Sequence, residues 1–91
     1  MSQHLDIHVS GRVQGVGYRY AAARRARELG ICGFVRNEPD GRVYAEAEGD
    51  PAALRSFAEW CRRGPPASQV TGVAVLPGAV RGYESFEISF G

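Results

Sequence analysis

The order in which strand-like and helix-like patterns follow one another limits the fold of this chain more than any other feature. Leu5, Ile7 and Val9 alternate with polar residues, and this period of two predicts a half-buried strand. The segment 22–29 changes to a helical repeat, with apolar residues on one face and charged residues on the other. Gly30 is placed to end this helix as the residue after its C-cap. The chain is therefore predicted to begin as a strand followed by a helix.

The rest of the sequence predicts four more strands and a second helix. The strand patterns cover the segments 31–37, 42–48, 70–76 and 83–90. The first two are joined by residues 38–41, whose Pro and Asp-Gly predict a tight turn and therefore a hairpin. Asp50 followed by Pro51 predicts the start of a helix, as an N-cap and a first helical residue.

The resulting order, β-α-β-β-α-β with one extra C-terminal strand, predicts an α+β sandwich of the ferredoxin-like type. Such a fold has an antiparallel-rich sheet with two helices on one face. At 91 residues the chain has room for one domain, residues 1–91. In this fold the first two strands are parallel and the third lies between them, so their C-terminal ends share one edge. We therefore expect the loop after the first strand to meet Asn37 at the end of the second, while the place of the extra strand stays open.

The segment from Gly15 to Arg19 is a short glycine-containing loop that opens a helix. Free N–H groups at a helix start form an anion site, and glycines let successive N–H groups converge. Arg19 opposes the helix dipole unless an anion is present, and its planar guanidinium can hold phosphate through two parallel hydrogen bonds. The loop matches neither a Walker loop nor a dinucleotide fingerprint, so we expect a single phosphate group rather than ATP or NAD. From these residues alone, a tight turn followed by a solvated arginine explains the segment equally well.

Two motifs resemble the signatures of the acylphosphatase family. The first is Gly11-Arg12-Val13-Gln14-Gly15-Val16-Gly17-Tyr18-Arg19, and the second is Gly33-Phe34-Val35-Arg36-Asn37 followed by Gly41, Val43 and Gly49. The resemblance covers essentially the whole chain. One departure from the family pattern is Tyr18, where the signature usually has Phe.

The resemblance implies that the chain is an enzyme that hydrolyses acyl phosphates to a carboxylate and inorganic phosphate, without a metal or a cofactor. It implies that Arg19 binds the phosphoryl group and that Asn37 positions the attacking water. It also assigns phosphate binding to the backbone N–H groups of Gly15, Val16, Gly17, Tyr18 and Arg19. Inorganic phosphate is then expected as product and inhibitor. Without the resemblance, Asn37 is better explained as a strand end whose side chain bonds nearby backbone.

Other functions are compatible with the same fold class. A ferredoxin-like domain can be a non-catalytic regulatory module that binds phosphate or another small molecule. Acylphosphatase-like domains also begin larger enzymes that process carbamoyl phosphate, although this chain ends soon after its last predicted strand. RNA binding is disfavoured, because the open sheet face is expected to be acidic and nearly devoid of aromatic residues. The residues assigned to that face are Asp6, His8, Tyr44, Glu46 and Glu48.

Charge, histidines and cysteines limit the remaining partners. The net charge of +1 gives no electrostatic footprint for nucleic acid. His4 and His8 are expected to be exposed residues of the sheet rather than metal ligands. Cys32 and Cys61 belong to no C-x-x-C pair, which predicts reduced thiols. No segment approaches membrane-spanning length, so we expect a cytoplasmic protein with no membrane partner, and a monomer by default.

Overall fold

The computed structural model describes residues 2–90, which form five strands and two helices in the predicted order. The elements are β1 (Gln3–Arg12), α1 (Tyr18–Glu28), β2 (Cys32–Asn37), β3 (Val43–Gly49), α2 (Pro51–Arg63), β4 (Gln69–Gly78) and β5 (Phe86–Ser89). The predicted fold class is confirmed. β4 extends beyond the predicted 70–76 at both ends, and β5 is shorter than the predicted 83–90.

The sheet has the strand order β4-β1-β3-β2-β5, and every neighbouring pair is antiparallel except β2 and β5. β3 lies between β1 and β2, so that Val9 of β1 and Asn37 of β2 both pair with Val43. The C-terminal ends of β1 and β2 therefore lie at one edge, as predicted. The loop 13–17 follows β1 at this edge. β5, which the sequence does not place, is an edge strand parallel to β2 and ends at the same level.

Both helices pack on one face of the sheet and enclose the apolar core. Ile7 and Val9 of β1 are buried in alternation, as the period of two requires. α1 buries the small side chains of Ala22 and Ala26, whereas α2 buries the ring of Phe57, which contacts the last strand at the far side of the core. The core thus holds both helices against the strands that lead to the shared edge.

The ends of the helices follow the predicted capping residues. Gly30 has a φ of 71°, the left-handed conformation expected of the residue after a helix C-cap. Asp50 is the N-cap of α2 and has extended backbone, and Pro51 is the first helical residue. Each helix is therefore bounded by residues whose backbone preference is visible in the sequence.

The hydroxyl of Tyr18 connects the start of α1 to the end of α2. It donates a hydrogen bond of 2.7 Å to the backbone carbonyl of Cys61. In a continuing helix that carbonyl would accept the N–H of residue 65, but residue 65 is Pro and has no N–H. Tyr18 therefore satisfies a carbonyl that the helix itself leaves unpaired.

The sheet face opposite the helices is not open, which corrects the expectation of an exposed acidic surface. Residues 79–85, which we call the strap, connect β4 to β5 across this face. The carboxylate of Glu48 accepts hydrogen bonds from the backbone N–H groups of Arg81, Gly82 and Tyr83 at 2.6, 3.0 and 3.2 Å. Glu46 and Glu48 are consequently buried, at 5% and 4% exposure.

His4 is buried beneath the strap, so the prediction that it is exposed is wrong. It is 2% exposed, and its ring stacks on Tyr83 with a centroid distance of 6.4 Å. His8 is half-buried and packs against Tyr44. The expectation that this face is nearly devoid of aromatic residues is also wrong, because Phe34 contacts both Tyr44 and Tyr83 with ring centroids 5.9 Å apart.

Candidate active site

A cavity of about 160 Å³ lies where the loop 13–17 meets the end of β2. It is lined by Val13, Gly15, Gly17, Tyr18, Arg19, Tyr20 and Asn37. Arg19 comes from the first turn of α1, and Asn37 is the last residue of β2. The fold therefore brings together the two side chains that the sequence singles out, although 18 positions separate them in the chain (37 − 19).

The loop adopts a backbone conformation that depends on its glycines. Gly15 and Gly17 have φ angles of 72° and 78°, in the left-handed region that residues with a Cβ rarely enter. A Cβ at either position would meet no atom within 4 Å, so the requirement is for the backbone angle and not for space. Gly17 is the N-cap of α1 and its carbonyl accepts the N–H of Ala21. The N–H groups of the first helical turn are thus directed out of the helix end, where they can bind an anion.

Besides the two glycines, Val16 and Tyr18 of the predicted phosphate-binding residues can act only through their backbone. The side chain of Tyr18 is 2% exposed and belongs to the core. Val16 packs against the core with a partly buried side chain and is not among the residues that line the cavity. The loop therefore presents its polar backbone to the cavity and uses these two side chains to fix itself to the core.

Arg19 is partly buried and its position is defined by the end of β5. Its Nη1 lies 3.5 Å from the carbonyl oxygen of Ser89, and its guanidinium carbon lies 4.8 Å from the ring centroid of Phe90. Both contacts are to neutral groups. They orient the guanidinium without neutralising its charge, and a cation that faces a ring in this way gains some electrostatic stabilisation.

Asn37 holds a buried acceptor that needs a donor. Within residues 2–90 its Oδ1 is one of two buried side-chain polar atoms with no hydrogen-bond partner, the other being Nδ1 of His8. A buried carbonyl oxygen without a partner is costly, and such atoms in proteins are usually paired with water or ligand. Because Asn37 is one of the residues that line the cavity, a molecule bound there is a candidate donor for this oxygen.

Gln14 ties the loop to the turn that follows Asn37. Its Nε2 donates to the carbonyl oxygens of Glu38 and Arg42 at 2.8 and 2.9 Å. Sequence reasoning assigned no role to Gln14, because its partners lie 24 and 28 residues further along the chain and only the fold brings them near. The sole signal available beforehand was its place inside the glycine-containing motif.

Within residues 2–90, the spacing of His4, Asp6 and Glu46 would allow a metal, since their ligand atoms lie within 4.8 Å of one another. Hydrogen bonds already occupy these atoms. His4 Nε2 lies 2.7 Å from Asp6 Oδ1, His4 Nδ1 lies 2.6 Å from Glu48 Oε2, and each Glu46 carboxylate oxygen accepts a tyrosine hydroxyl at 2.6 Å. The cluster lies under the strap and not in the cavity, and its geometry is explained without an ion.

The titratable groups near the loop are not suited to covalent catalysis. Burial raises the pKa of the Cys61 thiol to about 12, so this sulfur stays protonated at neutral pH. Burial also raises the pKa of Tyr18, with further contributions from its contact with Cys61. Both cysteines are free thiols, as predicted. The groups that the cavity offers to a ligand are therefore the Arg19 cation, the Asn37 carboxamide and backbone N–H groups.

Comparison with known proteins identifies what this arrangement is similar to. The family model described as Acylphosphatase matches residues 5–88. An acylphosphatase of Archaeoglobus fulgidus is 51% identical over 86 residues, which is 94% of this chain and 97% of that protein. Among solved structures, the acylphosphatase of Bacillus subtilis has a TM-score of 0.92 at 42% identity, covering 98% of this chain and 99% of that one. The acylphosphatase of Coxiella burnetii has a TM-score of 0.94 at 32% identity, covering 97% and 93%.

The helices of the described part are too short or too polar for a membrane. Neither α1 nor α2, the helices formed within residues 2–90, has the length and apolar character that crossing a bilayer requires.

Proposed function

This chain belongs to the acylphosphatase family and is an acylphosphatase, and we propose that Arg19 and Asn37 carry its chemistry. The reaction is hydrolysis of a carboxyl-phosphate anhydride to a carboxylate and inorganic phosphate. The observation that supports the assignment is the single cavity that Arg19 and Asn37 share with the N-terminus of α1. A cation, a carboxamide and free backbone donors there face a space suited to one phosphoryl group.

In this proposal the phosphoryl group of the substrate binds to the loop. Its oxygens accept hydrogen bonds from backbone N–H groups at positions 15–19 and from the guanidinium of Arg19. As the bond to the leaving group lengthens, charge spreads over the three equatorial oxygens, and these donors already point at them. The contacts of Arg19 with Ser89 and Phe90 hold the guanidinium in place before substrate arrives, so that little reorganisation is needed during reaction.

Asn37 positions the attacking water. Its unpaired Oδ1 accepts a hydrogen bond from the water, which fixes the direction of the water lone pair toward phosphorus. A carboxamide cannot take a proton at neutral pH, so a phosphoryl oxygen of the substrate accepts the water proton in this proposal. The new bond joins the water oxygen to phosphorus.

The leaving group departs without help from an acid. The bond between phosphorus and the bridging oxygen breaks, and its electron pair stays with the carboxylate, which is a stable anion at neutral pH. Among residues 2–90, none of those that line the cavity carries a carboxyl or an imidazole side chain. Arg19 and the loop supply the positive charge, so this mechanism assigns no step to a metal ion.

We propose further that the enzyme acts as a cytoplasmic monomer. Support for a reducing compartment comes from Cys32 and Cys61, which are both free thiols.

Inhibition by inorganic phosphate separates the two roles. Because Arg19 contacts phosphate directly, Arg19→Ala should raise the inhibition constant of phosphate by about tenfold or more. Because Asn37 contacts water, Asn37→Ala should leave this constant nearly unchanged while kcat falls on the order of a hundredfold. If Asn37→Ala weakened phosphate inhibition as much as Arg19→Ala, the assignment of Asn37 to water would be wrong.

A further inference from the structure

A second, larger depression adjoins the cavity on the outer side of α1. It has a volume of about 570 Å³ and lies between α1 and the turn after α2. We call it the α1–α2 groove, and its lining residues include Tyr20, Arg24, Trp60, Pro65 and Pro66. Tyr20 lines both the groove and the cavity that contains Arg19 and Asn37. The two depressions are therefore neighbours, and Tyr20 is a residue common to both.

Tyr20 has the exposure and the position expected of a residue that contacts a ligand. It is 63% exposed, one of the few large hydrophobic side chains left on the surface in the described residues. Of the residues that line the cavity, it alone presents a large exposed side chain, since Tyr18 and Val13 are buried in the core. An aromatic ring at such a place can gain stabilisation by contact with another planar group.

The groove beyond Tyr20 has a rigid and apolar floor. Trp60 is half-buried and its indole is fixed between Tyr18 and Phe57, with ring centroids 5.3 and 6.3 Å away. The two prolines of the turn add rigid apolar surface. Among the described residues that line the groove, Arg24 and Arg25 are basic, and Glu28, which lies 3.8 and 3.4 Å from them, is acidic. The excess of one positive charge suits a substrate that carries negative charge.

The geometry of the reaction indicates which part of the substrate lies in this groove. In-line attack places the leaving group on the side of phosphorus opposite to the water. Asn37, which holds the water in the proposed function, belongs to the wall formed by β2, whereas Tyr20 belongs to the wall formed by α1. The leaving acyl group then faces away from Asn37 and toward the α1 side.

We propose that the α1–α2 groove is the subsite for the acyl group and that Tyr20 selects acyl phosphates with an aromatic acyl part. The acyl carbon is one bond from the bridging oxygen, so an aromatic ring attached to it extends farther from phosphorus than the methyl group of an acetyl does. Tyr20, which lines both depressions, is the residue that we assign to contact this ring. This inference rests on the proposed function, because it uses the water position assigned to Asn37.

The test compares benzoyl phosphate with acetyl phosphate in the same variants. Tyr20→Ala should lower kcat/KM for benzoyl phosphate by about threefold to tenfold, because it removes one aromatic contact. The kcat/KM for acetyl phosphate should stay unchanged. Tyr20→Phe keeps the ring and should behave as the wild type with both substrates. Leu76→Ala removes an exposed apolar side chain on β4 and serves as the matched control.

The outcomes distinguish this inference from the proposed function. Equal losses for both substrates in Tyr20→Ala, or no loss for either, would overturn the acyl subsite while leaving the hydrolase intact. A wild type that hydrolyses neither substrate would instead overturn the proposed function. Naphthoyl phosphate gives a further check, because an open groove should accept the larger ring with a kcat/KM similar to that of benzoyl phosphate. Strong rejection of naphthoyl phosphate would contradict the groove.

Discussion

The side-chain nitrogen of Gln14 lies 2.8 Å from the carbonyl oxygen of Glu38, the residue that directly follows Asn37. The same nitrogen lies 2.9 Å from the carbonyl oxygen of Arg42, on the other side of the turn between β2 and β3. One amide therefore links both ends of this turn to the loop that precedes Arg19. The link therefore connects the loop that we propose to bind phosphate to the turn that follows Asn37.

Replacing Gln14 should damage turnover more than phosphate binding. Gln14→Leu keeps the size of the side chain but removes both donors, which frees the turn that carries Asn37. We expect kcat to fall on the order of tenfold, since small displacements of a positioning group are costly, while the inhibition constant of phosphate changes little. Stability should fall by about 1–2 kcal/mol. Steady-state kinetics and urea unfolding measure these effects.

The matched control is Gln69→Leu, the same change at an exposed position on β4. It should alter neither kcat nor stability. If Gln14→Leu lost stability with an unchanged kcat, Gln14 would be a structural residue only.

Removal of the Tyr18 hydroxyl should destabilise the protein. Tyr18→Phe leaves the Cys61 carbonyl without a donor, because Pro65 cannot provide one. We expect the free energy of unfolding to fall by about 1–2 kcal/mol. Tyr20→Phe, which removes an exposed hydroxyl, should leave it unchanged. Urea unfolding of the two variants measures this difference, provided that their unfolding free energies depend on urea concentration with the same slope. Identical midpoints would show that the Tyr18 hydrogen bond contributes nothing.

The cluster under the strap should make stability depend on pH. Burial alone would lower the pKa of His4, but hydrogen bonds with Glu48 and Asp6 outweigh it and raise this pKa above 6.5. Burial alone would raise the pKa of Glu48. Hydrogen bonds from the backbone N–H of Arg81, from His4 and from two more strap N–H groups outweigh burial and lower this pKa below 4.5. The groups that face His4 are Asp6, Glu46, Glu48 and Tyr83.

The two shifts act at opposite ends of the pH range. A raised histidine pKa gives stabilisation that is complete below 6.5 and is lost as the pH rises through the pKa of the folded state. A lowered carboxyl pKa gives stabilisation that is present above 4.5 and is lost as the pH falls through the pKa of the folded state. We therefore expect maximal stability in mildly acidic solution, above the unperturbed glutamate value of 4.5 and below the unperturbed histidine value of 6.5.

The role of His4 can be isolated by urea unfolding between pH 6 and pH 9. The wild type should lose stability as the pH rises from 6.5 through the raised pKa of His4. His4→Ala should be less stable, and this alkaline loss should be absent from it. His8→Ala is the matched histidine variant and should keep the wild-type slope. If the stability of His4→Ala fell with rising pH as steeply as that of the wild type, the pH dependence would belong to another group.

Much of the fold follows from local patterns in the sequence, and the exceptions have a physical cause. Residue alternation predicts β1 and the hairpin because one face of each strand packs against the helices. The same alternation extends the predicted last strand to Tyr83, yet the backbone N–H of Tyr83 bonds to Glu48 and its hydroxyl to Glu46. Alternation reports which side of a strand is polar, but not that a distant strap covers that side.

For the candidate site as well, some residues can be predicted from the sequence and others cannot. Arg19 and Asn37 could be singled out because they belong to recognisable motifs, and the topology predicts their meeting. The contributions of Gln14 and of Phe90 could not be found in this way, since each contacts a residue far along the chain. Arg27, which belongs to the charged face of α1 in the sequence pattern, instead donates to the carbonyl of Phe86 at 3.1 and 2.8 Å and holds β5 in place.

The most direct test of the central claim is release of phosphate from benzoyl phosphate in the presence of EDTA, measured for the wild type, Arg19→Ala and Arg55→Ala. Arg55 is exposed on α2 outside the cavity and provides the matched control. The account predicts rapid hydrolysis by the wild type and Arg55→Ala, and a loss on the order of a thousandfold in Arg19→Ala with an unchanged melting transition. Substantial hydrolysis by a folded Arg19→Ala variant would contradict it.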